Sequence, residues 1–216
     1  MSSQRAEIKA CVCHWLEGIV DEPLQAARFR RRKASLIYSR KVGESVQRID
    51  VAIQHHPQDA PNAAAAISPD LEVRMDSVNA LVMEMVAGDH ELSGVPDVTL
   101  WEPIAFTSGN KGLGARWLIY QPDSVPGVIA EMREFLRRWT IPFLDHYTTP
   151  SDICGAYDRG DGRVLQGLPQ PLRVVAAMLL CGRNADALRV MEQWFGKLGP
   201  RRQYHRVFEY LEARGD

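Results

Sequence analysis

Residues 47–56 read Gln-Arg-Ile-Asp-Val-Ala-Ile-Gln-His-His, and this stretch decides how the rest of the chain is interpreted. Ile49, Val51 and Ile53 alternate with residues that are mostly polar, a period of two that is typical of a β-strand with one buried face. Isoleucine and valine also fit a pleated surface well. We therefore predict a central strand here, which Pro57 helps to end.

A second strand is predicted directly before the central one. Residues 35–39 read Ser-Leu-Ile-Tyr-Ser, and the segment 41–45 that follows supplies a turn in which Gly43 tolerates a positive φ angle. Residues 35–54 thus predict a β-hairpin. Further strands are predicted at 70–75, from Val98 to Phe106 with an interruption at Pro103, and at 116–120. The segment Ala63–Ala66 is compatible with a helix or with the start of a strand.

Helices are predicted where apolar residues recur at spacings of three and four. The first spans 3–20 and is expected to stop at Pro23. The clearest spans 124–139 and is expected to end or kink at Pro142. We expect both of these helices to cover the sheet. A shorter helix is favoured over a strand at 78–86.

From Thr149 onward only helices are predicted. Pro150-Ser-Asp152 is typical of a helix start, and the later helices are expected at 171–180, from a capping Asn184 to a stop at Gly199-Pro200, and at 201–213. The predicted fold class is therefore α+β: an antiparallel sheet packed by N-terminal and central helices, followed by a helical C-terminal region. We predict an α+β domain at 1–149 and a helical region at 150–216 packed on it.

The composition is that of an ordinary globular chain, with 45% hydrophobic and 25% charged residues among 216. A net charge of -1 argues against general nucleic-acid binding but allows a local basic patch. No apolar run approaches the ~18 residues of a membrane span, and no secretory signal is apparent. The four cysteines, at 11, 13, 154 and 181, show no disulfide framework, so we expect free thiols in a cytoplasmic protein.

Three segments resemble a family of uncharacterised bacterial domains. They are Phe29-Arg-Arg-Arg-Lys33, then Ile37-Tyr-Ser-Arg40, and then the Gln-centred end of the hairpin, Ile49-Asp-Val-Ala-Ile-Gln54. The strand at 117–120 and the helix that reaches Pro142 fit the same layout, and the resemblance covers about residues 5–120. The family often has a glycine before the phenylalanine, where this chain has Arg28. The resemblance supports the fold and implies a bacterial source, and it brings no established activity.

Two motifs are superficially typical of ligand sites. Cys11 and Cys13 lie in the first predicted helix, where their side chains point ~200° apart and cannot easily share a metal ion. In the loop Gly109–Gly114, Lys111 is followed by a glycine and then a strand, whereas a phosphate-binding loop needs Lys-Ser/Thr at a helix start. We therefore predict neither a metal nor a cofactor.

A basic cluster around one aromatic residue is the leading candidate site. It consists of Arg28, Phe29, Arg30, Arg31, Arg32 and Lys33. Such a cluster can bind an acidic patch on a protein, or it can bind phosphates and stack a base. It can also be a charged edge strand that discourages aggregation. We favour an acidic protein partner over nucleic acid.

A second candidate set combines Asp50 and His56, on one face of the central strand, with Trp101 and Glu102. These residues are predicted to line a pocket between the sheet and the helical tail, as in an enzyme or a small-molecule binder.

The favoured interpretation is a non-catalytic cytoplasmic protein-binding module, and an inhibitor or immunity-like protein is one form of it. A nucleic-acid binder that uses Arg28–Lys33 is the third interpretation. The sequence leaves open whether the chain is an enzyme.

Overall fold

The computed structural model describes residues 2–32, 35–94, 98–109, 116–164 and 170–214. These residues form an α+β fold, as the sequence predicts. The strands are β1 Arg30–Arg31, β2 Ile37–Val42, β3 Ser45–His55, β4 Ala65–Met75, β5 Leu100–Pro103 and β6 Trp117–Ile119. The helices are α1 Ser2–Trp15, α2 Asp21–Ala26, α3 Asp76–Met85, α4 His90–Ser93, α5 Val125–Phe135, α6 Ile141–Asp145, α7 Pro150–Asp158, α8 Gln170–Leu180, α9 Asn184–Phe195, α10 Leu198–Gln203 and α11 His205–Glu212.

The described strands form one sheet in the order β1-β2-β3-β4-β5, and β6 pairs antiparallel with the start of β4. The edge strand β1 is antiparallel to β2, with Arg30 opposite Ser39 and Arg31 opposite Tyr38. The predicted hairpin is confirmed, because β2 and β3 are neighbours joined at Gly43, whose φ is 55°. The predicted alternation also holds: Ile49 and Val51 are buried, and Asp50 and Ala52 are more exposed.

The strand β4 is longer than the sequence predicts. It begins at Ala65 and contains Pro69, two residues beyond Ile67, the last residue that pairs with β6. All five residues from Ala63 to Ile67 are buried. A run that is buried on both faces has no period of two, and for this reason the pattern left the segment open between helix and strand. The next strand is shorter than predicted, because Pro103 is followed by a turn of 3₁₀-helix at Ile104–Ser108.

Two helices continue past their prolines. The predicted stop at Pro23 was wrong, and of the two outcomes predicted at Pro142 the helix end is wrong, while the kink stays a prediction. After α1 comes a turn of π-helix at Leu16–Val20, in which the N–H of Asp21 donates to the carbonyl of Leu16, five residues back. After α5 comes a second π-turn at Leu136–Thr140, in which the N–H of Ile141 donates to the carbonyl of Leu136.

The π-turns explain how the prolines fit. Each wide turn ends one hydrogen-bond ladder and begins another, so Pro23 and Pro142 fall in the first turn of a new short helix. A proline is tolerated there because its missing N–H has no partner within the helix in any case. The spacing of apolar residues does not reveal a π-turn, because π-turns are rare and the apolar stripe of the helix continues through them.

The chain divides into two compact units. The first comprises Met1–Lys41, Gln47–Glu72 and Trp101–His146, and the second comprises Val42–Val46, Val73–Leu100 and Tyr147–Asp216. In the first unit, α5 packs against α1, against the π-turn at Leu16–Val20 and against β6. The fully buried Ile129 and Met132 of α5 supply part of this core.

In the second unit, α8 packs against α3, α7 and α9, and α11 packs against α3 and α9. The C-terminal helices therefore share a core with the segment Val73–Leu100. Arg173 of α8 is buried and donates hydrogen bonds to the carbonyls of Val98 and Ser93. Its burial lowers the pKa of Arg173 to about 10. The predicted domain boundary at 149–150 stays a prediction.

The start of α7 is as predicted, but the predicted cap at Asn184 and the predicted helix stop at Gly199-Pro200 were wrong. The side chain of Thr149 and that of Asp152 form a reciprocal capping box around the first turn of α7. Asn184 is the first residue of α9 instead of its cap, and its amide donates to the carbonyl of Arg214. Gly199 and Pro200 lie inside α10, where a proline in the first turn is compatible with a helix.

Among the residues that the structure describes, no helix combines the length and the apolar character that crossing a membrane requires.

Candidate anion-binding cleft at the basic cluster

The site begins at the C-terminus of α2, which ends in a Schellman motif. The N–H of Phe29 donates to the carbonyl of Leu24, and the N–H of Arg28 donates to the carbonyl of Gln25, both at 2.8 Å. Leu24 and Phe29 are buried, as the apolar pair of this motif usually is. The motif turns the chain sharply from α2 into β1 and exposes Arg28 at the bend.

Arg28 adopts a left-handed backbone conformation, with φ at 66°. In a Schellman motif this position is usually glycine, because a Cβ atom is crowded there by the backbone. A left-handed conformation costs an ordinary residue about 1–2 kcal/mol relative to a right-handed one. An arginine therefore stands, at a cost in stability, where the backbone favours glycine.

Phe29 forms the floor of the site. Its side chain is fully buried, and the guanidinium carbon of Arg40 lies 4.5 Å from the centroid of its ring. Because the ring is enclosed, a nucleic-acid base cannot stack on it in this arrangement. Phe29 therefore anchors the cluster, and the groups that face solvent are Arg28, Arg30 and Arg32.

The three arginines of β1 and its end have different roles. Arg31 is drawn inward and donates to Glu17 at 2.8 Å and to Asp21 at 3.2 Å. Arg30 and Arg32 are exposed, as the alternation of an extended chain predicts. Arg31 is thus a structural cation, and the other two present their charge to solvent.

Asp21 organises the inner side of this cluster. It accepts hydrogen bonds from Arg31 and, at 2.6 Å, from the hydroxyl of Tyr38. Burial of the phenol, with its hydrogen bond to Asp21, raises the pKa of Tyr38 far above the usual 10.0. Tyr38 therefore stays a neutral donor at all ordinary pH values and fixes Asp21 in place.

The cluster surrounds an open cleft of about 640 Å³, lined by Gln25, Arg28, Phe29, Arg30 and Arg31. Within the described part of the chain, the side chains of Arg28, Arg30 and Arg32 make no hydrogen bond or ion pair. Lys33, also predicted to belong to the cluster, lies outside the described residues. The cleft therefore offers two arginines, Arg28 and Arg30, whose donors are available to an anionic partner, and the exposed Arg32 follows them in the chain.

The second predicted set does not form one site. Trp101 is 50% exposed and Glu102 is 2% exposed, so the two side chains lie on opposite faces of β5. Asp50 is held by Arg48 at 3.1 Å. His56 is exposed beyond the end of β3, with φ at 48°. These positions give no convergence of acid, base and aromatic groups on a common substrate.

Acidic groups gather on the polar face of the sheet. Burial, with the nearby charges of Asp50 and Glu72, raises the pKa of Asp70 above its usual value of 3.8. Arg48 partly offsets this repulsion by pairing with Asp50 and, at 3.4 Å, with Glu72. This cluster is accounted for by its own ion pairs and gives no sign of a ligand.

The described residues give little support for a metal-binding site or for a phosphate-binding loop. They contain no group of three or more His, Cys, Asp and Glu side chains that could hold a metal ion. Cys11 and Cys13 are both partly buried in α1, and the thiol of Cys11 faces the carbonyl of Pro122 at 3.9 Å. Of the glycine-rich loop only Gly109 is described, in a left-handed conformation that follows the 3₁₀ turn, and Lys111 lies outside the described residues.

Sequence reasoning missed the support behind the cleft. Arg40 and Gln47 are buried polar residues bonded to each other at 2.8 Å, and Arg40 also covers Phe29. A signal for Gln47 was present: it lies two residues before Ile49, on the face of β3 that the alternation predicts to be buried. Arg40 likewise lies two residues after the buried Tyr38, but its ion pair with Asp145, 105 positions away, has no signal in the local pattern.

Comparisons of this chain with protein-family models, with curated proteins and with solved structures found no match. The resemblance at residues 5–120 accordingly stays a prediction.

Proposed function

We propose that this protein is a non-catalytic binding module that recognises an acidic surface of a partner protein through Arg28, Arg30 and Arg32. The supporting observation is that these three arginines are exposed and have no partner among the described residues, and that two of them, Arg28 and Arg30, line one cleft. Most of the other described arginines are already paired with acidic side chains or buried carbonyls. An inhibitor or immunity-like protein of the bacterial cytoplasm is one form of this proposal.

The spacing of the arginines suits carboxylates on a protein. Arg30 and Arg32 are two residues apart on an extended chain, which separates their backbones by about 7 Å on the same side. A guanidinium group binds a carboxylate through two parallel hydrogen bonds, and this fixes orientation as well as charge. Two such pairs, with Arg28 at the bend, match a short row of Asp and Glu side chains.

The strained backbone at Arg28 supports a functional reason for this residue. Residues in unfavourable backbone regions concentrate at binding and catalytic sites, where the surrounding structure holds them in place. Here a glycine would remove the strain and also remove a cation from the rim of the cleft. The choice of arginine at φ 66° is consistent with a gain in binding that outweighs the loss in stability.

The charge of the whole chain supports a protein partner over nucleic acid. The net charge is -1, so the cationic surface is a local patch. Non-specific nucleic-acid binding depends on many phosphate contacts and benefits from a broadly basic surface. The buried Phe29 also removes the one aromatic ring in the cluster that was available for base stacking.

The test is affinity capture of the tagged protein from its native lysate after nuclease treatment. We expect one partner at stoichiometric ratio, retained by the wild type and lost by the double variant Arg30→Glu/Arg32→Glu. The matched control is Arg202→Glu/Arg206→Glu, which makes the same charge change at two exposed arginines of the C-terminal helices. Retention by the cleft variant, or loss of the partner on nuclease treatment alone, would overturn the proposal.

A small anionic ligand is the second candidate, because a cleft of about 640 Å³ lies within the range of small-molecule sites, roughly 300–1,000 Å³. Its test is a thermal-shift screen of phosphorylated and polycarboxylate compounds against the wild type and Arg30→Glu/Arg32→Glu. A stabilisation that saturates with ligand and disappears in the double variant would favour this candidate over a protein partner.

A further inference from the structure

Two cysteines that are 27 positions apart in the sequence meet in the second unit. Cys154 lies within α7, Cys181 is the first residue after α8, and their Sγ atoms are 3.9 Å apart. Cys154 is 3% exposed, whereas Cys181 is exposed to solvent. The packing of α7 against α8 therefore places a buried thiol directly behind an accessible one.

We propose that Cys154 and Cys181 are a reversible dithiol–disulfide pair that hydroperoxides oxidise through Cys181. A disulfide requires its sulfur atoms to be about 2.05 Å apart, so the two Sγ atoms must approach by about 2 Å. Rotation of the Cys181 side chain supplies part of this movement, because Cys181 lies at a helix end and is not enclosed by neighbours.

The redox step balances with a hydroperoxide as the oxidant. The thiolate of Cys181 attacks the terminal oxygen, the O–O bond breaks, and Cys181 becomes a sulfenic acid while an alcohol or water leaves. The sulfur of Cys154 then attacks the sulfur of Cys181, the S–O bond breaks, and the departing hydroxide takes the thiol proton of Cys154 to form water. Two thiols lose two electrons, and these electrons reduce the peroxide.

The surroundings of the two thiols assign them different roles. Burial, with the adjacent Cys181, raises the pKa of Cys154 to about 12, so Cys154 is a protonated and protected thiol at neutral pH. Oxidation therefore begins at the accessible Cys181. Once Cys181 is a sulfenic acid, the short distance allows Cys154 to trap it before a second peroxide arrives.

Cys11 and Cys13 provide an internal comparison. They are also free thiols, partly buried in α1, where positions two apart point to different sides of the helix. They are not expected to form a bond with each other. A treatment that oxidised thiols indiscriminately would modify them as well, so their state reports on the specificity of the reaction.

The experiment treats the reduced full-length protein with one to a few equivalents of hydrogen peroxide. We expect the thiol count in denaturant to fall from the four cysteines of the chain to two. The intact mass should fall by about 2 Da, the loss of two hydrogens that accompanies disulfide formation. Peptide mapping without reduction should recover Cys154 linked to Cys181, and dithiothreitol should restore both thiols.

Two variants complete the test. Cys181→Ser changes an exposed position and should abolish the linked peptide, whereas Cys13→Ser should leave it unchanged. The bridged protein should also unfold at a higher temperature than the reduced form, since the bond restricts the unfolded chain. Four remaining thiols, or a Cys181 oxidised to sulfinic acid beside an unmodified Cys154, would overturn the proposal.

Discussion

The guanidinium group of Arg40 stacks on the ring of Phe29, with its central carbon 4.5 Å from the ring centroid. Each nitrogen of this guanidinium also donates a hydrogen bond: Nε to Gln47, one terminal nitrogen to the carbonyl of Ala27, and the other to Asp145. Arg40 thereby holds the end of α2 and the end of α6 against the hairpin. The floor of the basic cleft is built on this contact.

The buried member of this network, Gln47, should matter most for stability. Its side chain accepts from Arg40 and donates to the carbonyl of Leu144 at 2.7 Å, with no exposure to solvent. Gln47→Leu should lower the free energy of unfolding by about 2–4 kcal/mol, because it leaves two buried polar groups without partners. Urea denaturation at neutral pH measures this loss.

Asp145→Asn is the comparison for that variant. The side chain of Asp145 is 53% exposed, so its ion pair with Arg40 is screened by solvent and should contribute less than about 1 kcal/mol. If Asp145→Asn destabilised the protein as much as Gln47→Leu, the stabilisation would come from the charge pair, and the buried hydrogen bonds would be secondary.

Arg28→Gly should stabilise the protein and weaken its binding. Glycine relieves the left-handed strain at φ 66°, and we expect the free energy of unfolding to rise by about 1 kcal/mol. Arg30→Gly removes the same charge from an extended strand, where glycine should instead lower stability by about 0.5–1 kcal/mol. Chemical denaturation separates the two cases. A loss of stability in Arg28→Gly would show that the arginine side chain itself supports the fold.

Gly43→Ala should be strongly destabilising. Gly43 has φ at 55°, and a Cβ atom there would lie 2.7 Å from the carbonyl oxygen of Thr148, which also accepts from the N–H of Glu44. Gly88→Ala is the matched control, since Gly88 also has a positive φ but no atom within 4 Å of its added Cβ. The control should lose about 1 kcal/mol from backbone strain, and Gly43→Ala should lose clearly more. Equal losses in the melting experiment would mean that Thr148 moves aside freely.

The cap of α7 should make part of the stability dependent on pH. Burial alone would raise the pKa of Asp152, but hydrogen bonds from the backbone and hydroxyls of Thr148 and Thr149 prevail and lower it below 3.8. The Asp152 carboxylate therefore binds a proton more readily in the unfolded state than in the folded state. The stabilisation is fully present above pH 3.8 and is lost as the pH falls through the lower pKa of the folded state.

Asp152→Ala tests this linkage. At neutral pH it should reduce the free energy of unfolding by about 1 kcal/mol, the usual effect of removing a helix cap. The difference between the variant and the wild type should shrink in acid, where the wild type also loses the charge. Unfolding curves at several pH values measure it, and a constant difference would contradict the assignment.

Asp70→Asn should raise the melting temperature at neutral pH. The pKa of Asp70 is raised, so the folded state holds this proton more tightly than the unfolded state, and ionisation destabilises the fold as the pH rises through that pKa. The amide removes this penalty together with the repulsion from Asp50 and Glu72. The exposed Glu209→Gln, a neutralisation in α11, should leave the melting temperature nearly unchanged.

Local patterns predicted a large part of the fold correctly. The hairpin around Gly43, the alternation of Ile49 and Val51, and the capped start of α7 depend on neighbours within a few residues, and all three are observed. Other segments were predicted wrongly or left open because local rules do not apply to them. Pro23 and Pro142 follow π-turns, so neither proline ends its helix. The segment Ala63–Ala66 was left open because it is buried on both faces and carries no alternation.

The candidate site was likewise predictable only in its local features. A run of arginines beside Phe29 was visible in the sequence, and so was its value for binding an anion. Which arginines are available was decided by folding: Arg31 turns inward to Glu17 and Asp21, while Arg30 and Arg32 face solvent. The partnership of Arg40 with Asp145, across 105 positions, and that of Cys154 with Cys181 likewise exist only in the folded chain. Periodicity and capping act over one or two turns, whereas contacts between distant residues arise only from packing.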